Sequence, residues 1–149
     1  DFGSDVRLLA TLTAATGVDA LTHAIESCVS RKATKLTIDF SLRAAGRLAR
    51  FLPVAFASPD DAEARRECLL GSLEAGIAFT NSSVALVHGM ARPLGAKFGI
   101  PHGVSNAVLL HSAFLNARVA VLKDLCAAAT PEGHARALAL LAGMGYEIV

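Results

Sequence analysis

The sequence has no tryptophan, a single tyrosine and only 5% aromatic residues over its 149 positions, so any core must be built from Ala, Leu, Val and Ile. Cysteine is scarce too. Cys28, Cys68 and Cys126 are odd in number, far apart and form no CxxC pair, which argues against a zinc ribbon or a thioredoxin-like redox site. Reduced, mostly buried thiols in a cytoplasmic protein fit that usage. Neither sign of charge prevails. The 14 basic and 13 acidic residues leave a net charge of +1 and no strong field. Arg43, Arg47 and Arg50 make a short basic stripe at helical spacing, but no aromatics interleave with it as in a nucleic-acid groove, so a solvated helix face is expected. No signal peptide is visible. The most apolar stretch, Val104 to Leu122, is interrupted by Ser105, Asn106, His111, Asn116 and Arg118, a pattern for a buried helix and not a membrane span. G-x-G-x-x-G, G-x-x-x-x-G-K-[ST] and G-x-S-x-G are all missing, as are internal repeats and runs of alternating β-branched residues.

What remains is apolar and helical. Hydrophobic residues make up 53% of the chain and mean hydropathy is +0.48. Either the core is a plain one rich in Ala and Leu, or part of the apolar surface belongs against another domain. The length suits one domain, residues 1–149, with an all-α, bundle-like fold. Thr16-Gly17-Val18-Asp19 opens a predicted helix through Ser27, with Thr16 and Asp19 at capping-box spacing. A second helix, Thr37 to Leu52, carries Ile38, Leu42, Ala45, Leu48 and Leu52 on one stripe and is ended by Pro53. Ser58-Pro59-Asp60-Asp61 reads as the next helix start, with Ser58 as cap and Leu69, Leu73 and Ile77 spaced along the helix. A further helix is predicted from Val84 to Lys97, kinked or broken at Pro93. Another follows from Pro101 to Leu115, and the last begins at Thr130-Pro131-Glu132.

Five histidines are the main chemical resource. Asp19 and His23, four apart, share a helix face and can clasp one divalent ion, although an ordinary helix pair has the same spacing. His88 stands among apolar neighbours, where a satisfied core histidine is the common case. His102 follows Pro101 at a helix start, where the dipole favours the neutral, metal-ligating ring. One carboxylate and three imidazoles together form a mixed O/N donor set suited to Fe²⁺ or Zn²⁺. His111, nine residues beyond His102, falls on the opposite face and is left out. His134 lies in a polar segment expected to be solvated.

The stretches Thr16 to Glu26 and His88 to Ala107, with Ala75 to Asn81 between them, resemble the signature segments of the iron-dependent (group III) alcohol dehydrogenases. The resemblance covers roughly Leu12 to Leu110. It implies the C-terminal helical metal-binding domain of that family, with its dehydroquinate-synthase-like fold. It places metal ligands at Asp19, His23, His88 and His102, and puts Phe79 on the substrate and nicotinamide cleft. It implies NAD(P)-linked interconversion of small alcohols with aldehydes or ketones, the metal acting as Lewis acid on the alcohol oxygen. NAD or NADP would be held only through an N-terminal nucleotide-binding domain, the partner this chain is expected to lack; alone it would be a poor dehydrogenase. Homo-oligomerisation is left open, and no nucleic-acid or membrane partner is implied.

Two departures stand out. Arg92 replaces a histidine that many members carry four residues after the one at His88. Arginine is a poor proton shuttle, so Arg92 either holds a phosphate or substrate carboxylate or is a structural variation. The tail from Asn116 to Val149 looks diverged or shortened, and Asp1 to Ala10 lacks the usual approach to the metal helix. Two further readings accompany the dehydrogenase: a non-catalytic helical metal-binding or interaction module, and zinc chemistry of the glycerol or polyol dehydrogenase or dehydroquinate synthase kind.

Overall fold

A computed structural model of the chain describes residues 2–115, with side chains from 9 to 110, as five α-helices in sequence. They are α1 (Phe2–Cys28), α2 (Lys35–Ala57), α3 (Ala62–Asn81), α4 (Leu86–Phe98) and α5 (His102–Leu115). The all-α class expected from the sequence is the class observed. The helix expected at Thr130, Cys126, His134 and the side chain of His111 lie outside the described residues. None of the described helices is by itself long and apolar enough to cross a membrane.

Helix α1 corrects the first sequence expectation. It does not begin at Thr16 but runs unbroken from Phe2, and the Thr16 hydroxyl donates 2.8 Å back to the Leu12 carbonyl. A threonine inside a helix has that carbonyl one turn behind it, so its hydroxyl back-bonds instead of capping. Asp19 is thereby released from any capping box and keeps its carboxylate for other partners.

Helix α2 starts earlier than Thr37 because Thr34 caps it. The Thr34 hydroxyl accepts from the Thr37 amide at 3.3 Å, and the Thr37 hydroxyl accepts from the Thr34 amide at 2.8 Å, a reciprocal box. Nor does Pro53 end the helix. Proline removes one backbone donor, but Leu52 and Ala55 on either side are buried at 9% and 1% exposure, and their packing carries the helix through to Ala57. Ser58, expected to cap α3, instead closes α2 by donating its amide to the Val54 carbonyl. The cap of α3 is Asp61, whose Oδ1 accepts from the Ala64 amide at 2.9 Å.

The buried stripes are made of small residues. On α2 they are Thr37, Ser41, Ala44, Ala45, Leu48, Leu52 and Ala55, while Ile38 and Leu42 are only half-buried. On α3 the buried face is Ala64, Gly71, Ala75 and Ala78, and the row of Leu69 and Leu73 is turned outward, at 73% and 60% exposure. Ala24, Ala44, Ala45 and Ala75 form the contact of α1, α2 and α3, with Leu21 packed against it. Methyl-sized side chains let the helix axes approach closely, which a row of leucines would prevent. A second cluster, Ile25, Val87 and Leu110, joins α1 to α4 and α5. Both explanations for the apolar excess therefore have a place: the core is plain and alanine-rich, and Leu36, Leu86, Phe98 and Val108 also stand largely exposed.

The basic stripe of α2 is not simply solvated. Arg47 pairs with Glu67 and, through Nε at 3.1 Å, with Glu74, and Arg43 reaches Glu74 at 3.5 Å, so two of the three arginines tie α2 to α3. Cys28 and Cys68 are free thiols, and burial pushes Cys28 up to about 11, leaving it unreactive.

Helix α5 reaches α1 where Gly103 has no side chain. A Cβ there would meet the Ala15 carbonyl oxygen at 2.3 Å and its carbon at 2.7 Å. Backbone cannot move aside as a rotamer can, so only glycine allows this crossing. Gly103→Ala is expected to destabilise the chain by about 1–3 kcal/mol through overpacking, measured as a lower urea midpoint at unchanged helix content.

Candidate metal centre

Three helices bring the predicted residues together. Asp19 and His23 project from one face of α1, His88 from the first turn of α4, and His102 is the first residue of α5. One donor atom from each of Asp19, His23 and His88 lies within 4.8 Å of the other two. His88 Nε2 is 3.4 Å and His102 Nε2 3.6 Å from the same Asp19 Oδ1. Ligands at about 2.1 Å around a tetrahedral ion stand about 3.4 Å apart, so the spacing fits one shared divalent cation. The His23 ring stacks on Phe79 with centroids 4.2 Å apart and on His88 at 4.3 Å, which fixes its plane.

Glu26, one turn beyond His23 on the same face of α1, has no role in the sequence reading, yet it organises the centre. It is 3% exposed. Its carboxylate faces His88 Nδ1 at 2.6 Å and accepts from the amides of Val87 at 2.6 Å and His88 at 3.2 Å. Those amides open α4, whose N-cap, Ala85, offers no side-chain acceptor, so Glu26 caps the helix from another segment. The same carboxylate fixes the His88 tautomer: Nδ1–H donates to Glu26 and Nε2 faces the donor cage. A buried carboxylate in a helix, seven residues after Asp19 and three after His23, is the signal by which sequence could have found it.

Asn106 was missed as well. It follows His102 by one turn on α5 and is wholly buried. Its Nδ2 lies 2.5 Å from Asp19 Oδ1, 3.2 Å from His88 Nε2 and 3.1 Å from His102 Nε2. Arg92, by contrast, is exposed one turn beyond His88, stands apart from the cage and makes no ion pair among the described residues.

Electrostatics sort the donors. Burial lowers the pKa of His23, an effect the nearby Asp19 only partly offsets, so its neutral ligand form is favoured. For His88 burial acts in the same direction, but hydrogen bonds and charge from Asp19 and Glu26 prevail and raise it to about 9. Asp19 and Glu26 both titrate lower than usual: burial opposes this, and the His88 hydrogen bond leads the contributions that overcome it. His88 Nε2 thus has alternative uses. Protonated, it donates to Asp19; deprotonated, it offers a lone pair to Asn106 or to a metal ion.

The profile described as the Fe-containing alcohol dehydrogenase family, C-terminal, matches residues 13–142. The chain is 46% identical over 101 residues to a 1,3-propanediol dehydrogenase of Klebsiella pneumoniae, covering 68% of this chain and 26% of that protein. It is 50% identical over 99 residues to a lactaldehyde reductase of Escherichia coli K12, covering 66% and 25%. It thus spans about a quarter of the length of these relatives. Among solved structures, a 1,3-propanediol oxidoreductase superposes with a TM-score of 0.73 at 33% identity, over 94% of this chain and 40% of that one. A sulfoacetaldehyde reductase from Bifidobacterium kashiwanohense, solved in complex with NAD⁺, gives 0.67 at 34% identity, over 72% and 29%.

The raised His88 value sets a pH dependence. A group held above its unfolded pKa stabilises the fold fully below the unfolded value and loses that contribution as pH climbs through the folded one. In the metal-free chain, unfolding free energy is expected to fall between pH 6.5 and about 9 on account of His88. Glu26→Gln should flatten that slope and lower stability at pH 7, read by urea titration at several pH values. Retention of the full slope in the variant would show that Glu26 does not hold the His88 proton.

Proposed function

The chain belongs to the Fe-containing alcohol dehydrogenase family, and on that premise we propose that it provides the metal-binding half of a site interconverting a small alcohol with its aldehyde or ketone. The observation that carries this reading is the convergence of Asp19, His23, His88 and His102 from α1, α4 and α5, with separations of 3.4 and 3.6 Å about one carboxylate oxygen. Asp19 and the three histidines would hold Fe²⁺ or Zn²⁺, a donor set without thiolate that suits a catalytic more than a structural ion. When bound, such an ion supplies Lewis-acid charge to an alcohol or carbonyl oxygen and lowers the pKa of the alcohol.

The remaining work falls to the side chains. Glu26 keeps His88 Nε2 directed at the cage and free to lose its proton on metal uptake. Phe79, stacked on His23, holds that ring in plane and offers an apolar wall to a substrate and nicotinamide cleft. His102, with its side chain 45% exposed, opens the cage toward solvent and therefore toward the substrate side. Arg92, exposed and one turn from His88, would either hold a phosphate or substrate carboxylate or be a structural variation. Most of the contacts to NAD or NADP would come from a separate nucleotide-binding domain.

Reconstitution with Fe²⁺ or Zn²⁺ under anaerobic conditions, followed by desalting and elemental analysis, is expected to find about one ion per chain. His102→Ala and His88→Ala should each abolish retention while circular dichroism stays nearly unchanged, and Arg92→Ala should keep the metal. Full occupancy in either histidine variant would remove that residue from the ligand set.

A further inference from the structure

We propose that Asn106 is a reversible element of the metal site, presenting its amide nitrogen to the donor cage without a cation and its carbonyl oxygen to a bound one. This rests on the reading of Asp19, His23, His88 and His102 as ligands. Asn106 is 0% exposed, and its Nδ2 is directed at Asp19 Oδ1, His88 Nε2 and His102 Nε2. These are the atoms whose lone pairs a metal ion would use. Its Oδ1, meanwhile, is buried with no hydrogen-bond partner among the described residues.

The arrangement is lopsided. An amide nitrogen has two hydrogens, yet here Asp19 Oδ1 and two imidazole nitrogens, His88 Nε2 and His102 Nε2, crowd around it. The amide oxygen, able to accept two bonds, receives none. A buried acceptor without a partner costs about 1–3 kcal/mol. The recorded orientation is the one that serves lone pairs, with N–H standing in for a cation.

A divalent ion in the cage reverses every part of that balance. It takes the lone pairs of Asp19, His88 and His102, so the N–H groups lose their acceptors. The positive end of the amide would then face positive charge. A half turn about the terminal bond exchanges nitrogen for oxygen within the same volume. It relieves the orphaned oxygen and aims a hard oxygen donor at the ion, a ligand type that Fe²⁺ and Zn²⁺ accept. The side chain is anchored for this by its position on α5, one turn after His102, so the two move as a unit with the helix.

The turn also separates two roles that would look alike in a static picture. An amide that only plugged the cage would compete with the metal, and its removal would tighten binding. An amide that turns its oxygen inward assists the metal, and its removal weakens binding. Zn²⁺ affinity therefore decides between them.

The experiment is Zn²⁺ titration of the full chain against a chromophoric chelator, with circular dichroism of each variant as the fold control. Asn106→Leu, which keeps the bulk and removes the polar atoms, is expected to bind Zn²⁺ about 10–100-fold more weakly. Asn106→Asp, which keeps an inward oxygen and adds charge, should bind at least as tightly as the parent chain. Its metal-free form should be the less stable, because a second carboxylate then faces Asp19. Equal or tighter binding by Asn106→Leu overturns the proposal and leaves the ligand assignment standing, as does weaker binding by Asn106→Asp. Should Asn106→Leu fail to fold, the Asp variant decides alone. Failure of the parent chain to bind Zn²⁺ would overturn both readings together.

Discussion

The structure around the candidate metal centre depends on one buried carboxylate. Glu26 is not among the proposed ligands, yet it accepts from the two amides that open α4 and meets the Nδ1 of His88. A carboxylate buried without partners would be expelled or neutralised. Here the helix end supplies the partners, and Ala85 supplies no competing cap. One group thus settles where α4 begins, how it is oriented against α1, and which nitrogen of His88 is left for chemistry. Without it, the polar face of α1 and the apolar contact of Ile25 with Val87 would have no common register.

The centre is built asymmetrically. His88 is 2% exposed and held on both ring nitrogens, whereas the His102 side chain is 45% exposed and meets Asn106, Asp19 and the His88 ring. Burial is deepest where α1 meets α4 and shallowest at the start of α5. The crossing of α5 over α1 at Gly103 adjoins the shallow side, so the least buried donor is carried by the helix with the tightest backbone approach. An exposed imidazole and a closely held helix are thus combined at the start of α5.

Much of this was legible in the sequence. The spacing of Asp19 and His23 on one helix and the position of His102 at a helix start reappear in three dimensions, and Asp19, His23 and His88 come together in one cluster. Less was legible where tertiary contacts decide. Thr16 and Ser58 look like caps in isolation, but each has a better partner once the neighbouring turn is helical. Pro53 looks like a stop, but burial on both sides of it outweighs one lost hydrogen bond. Leu69, Leu73 and Ile77 recur at helical spacing, yet alanines form the buried face of α3, because periodicity marks a face without saying which neighbour it meets. Glu26 and Asn106 were hidden for a different reason. Glu26 meets His88 from 62 residues away and Asn106 meets Asp19 from 87 residues away, and although Glu26 shares a helix face with His23 and Asn106 with His102, that spacing alone does not announce contacts of such span.

The alanine contact of α1, α2 and α3 also decides where this sequence is free to vary. Ala24, Ala44 and Ala75 have no exposed surface and pack together in one cluster. Any larger side chain there would push α1 aside, and α1 carries Asp19, His23 and Glu26. Drift is consequently channelled outward, to the faces that bear Leu69, Leu73 and Phe98, where size and polarity can change without displacing the donors. Two chains of this kind would therefore differ most in what they touch and least in what they hold.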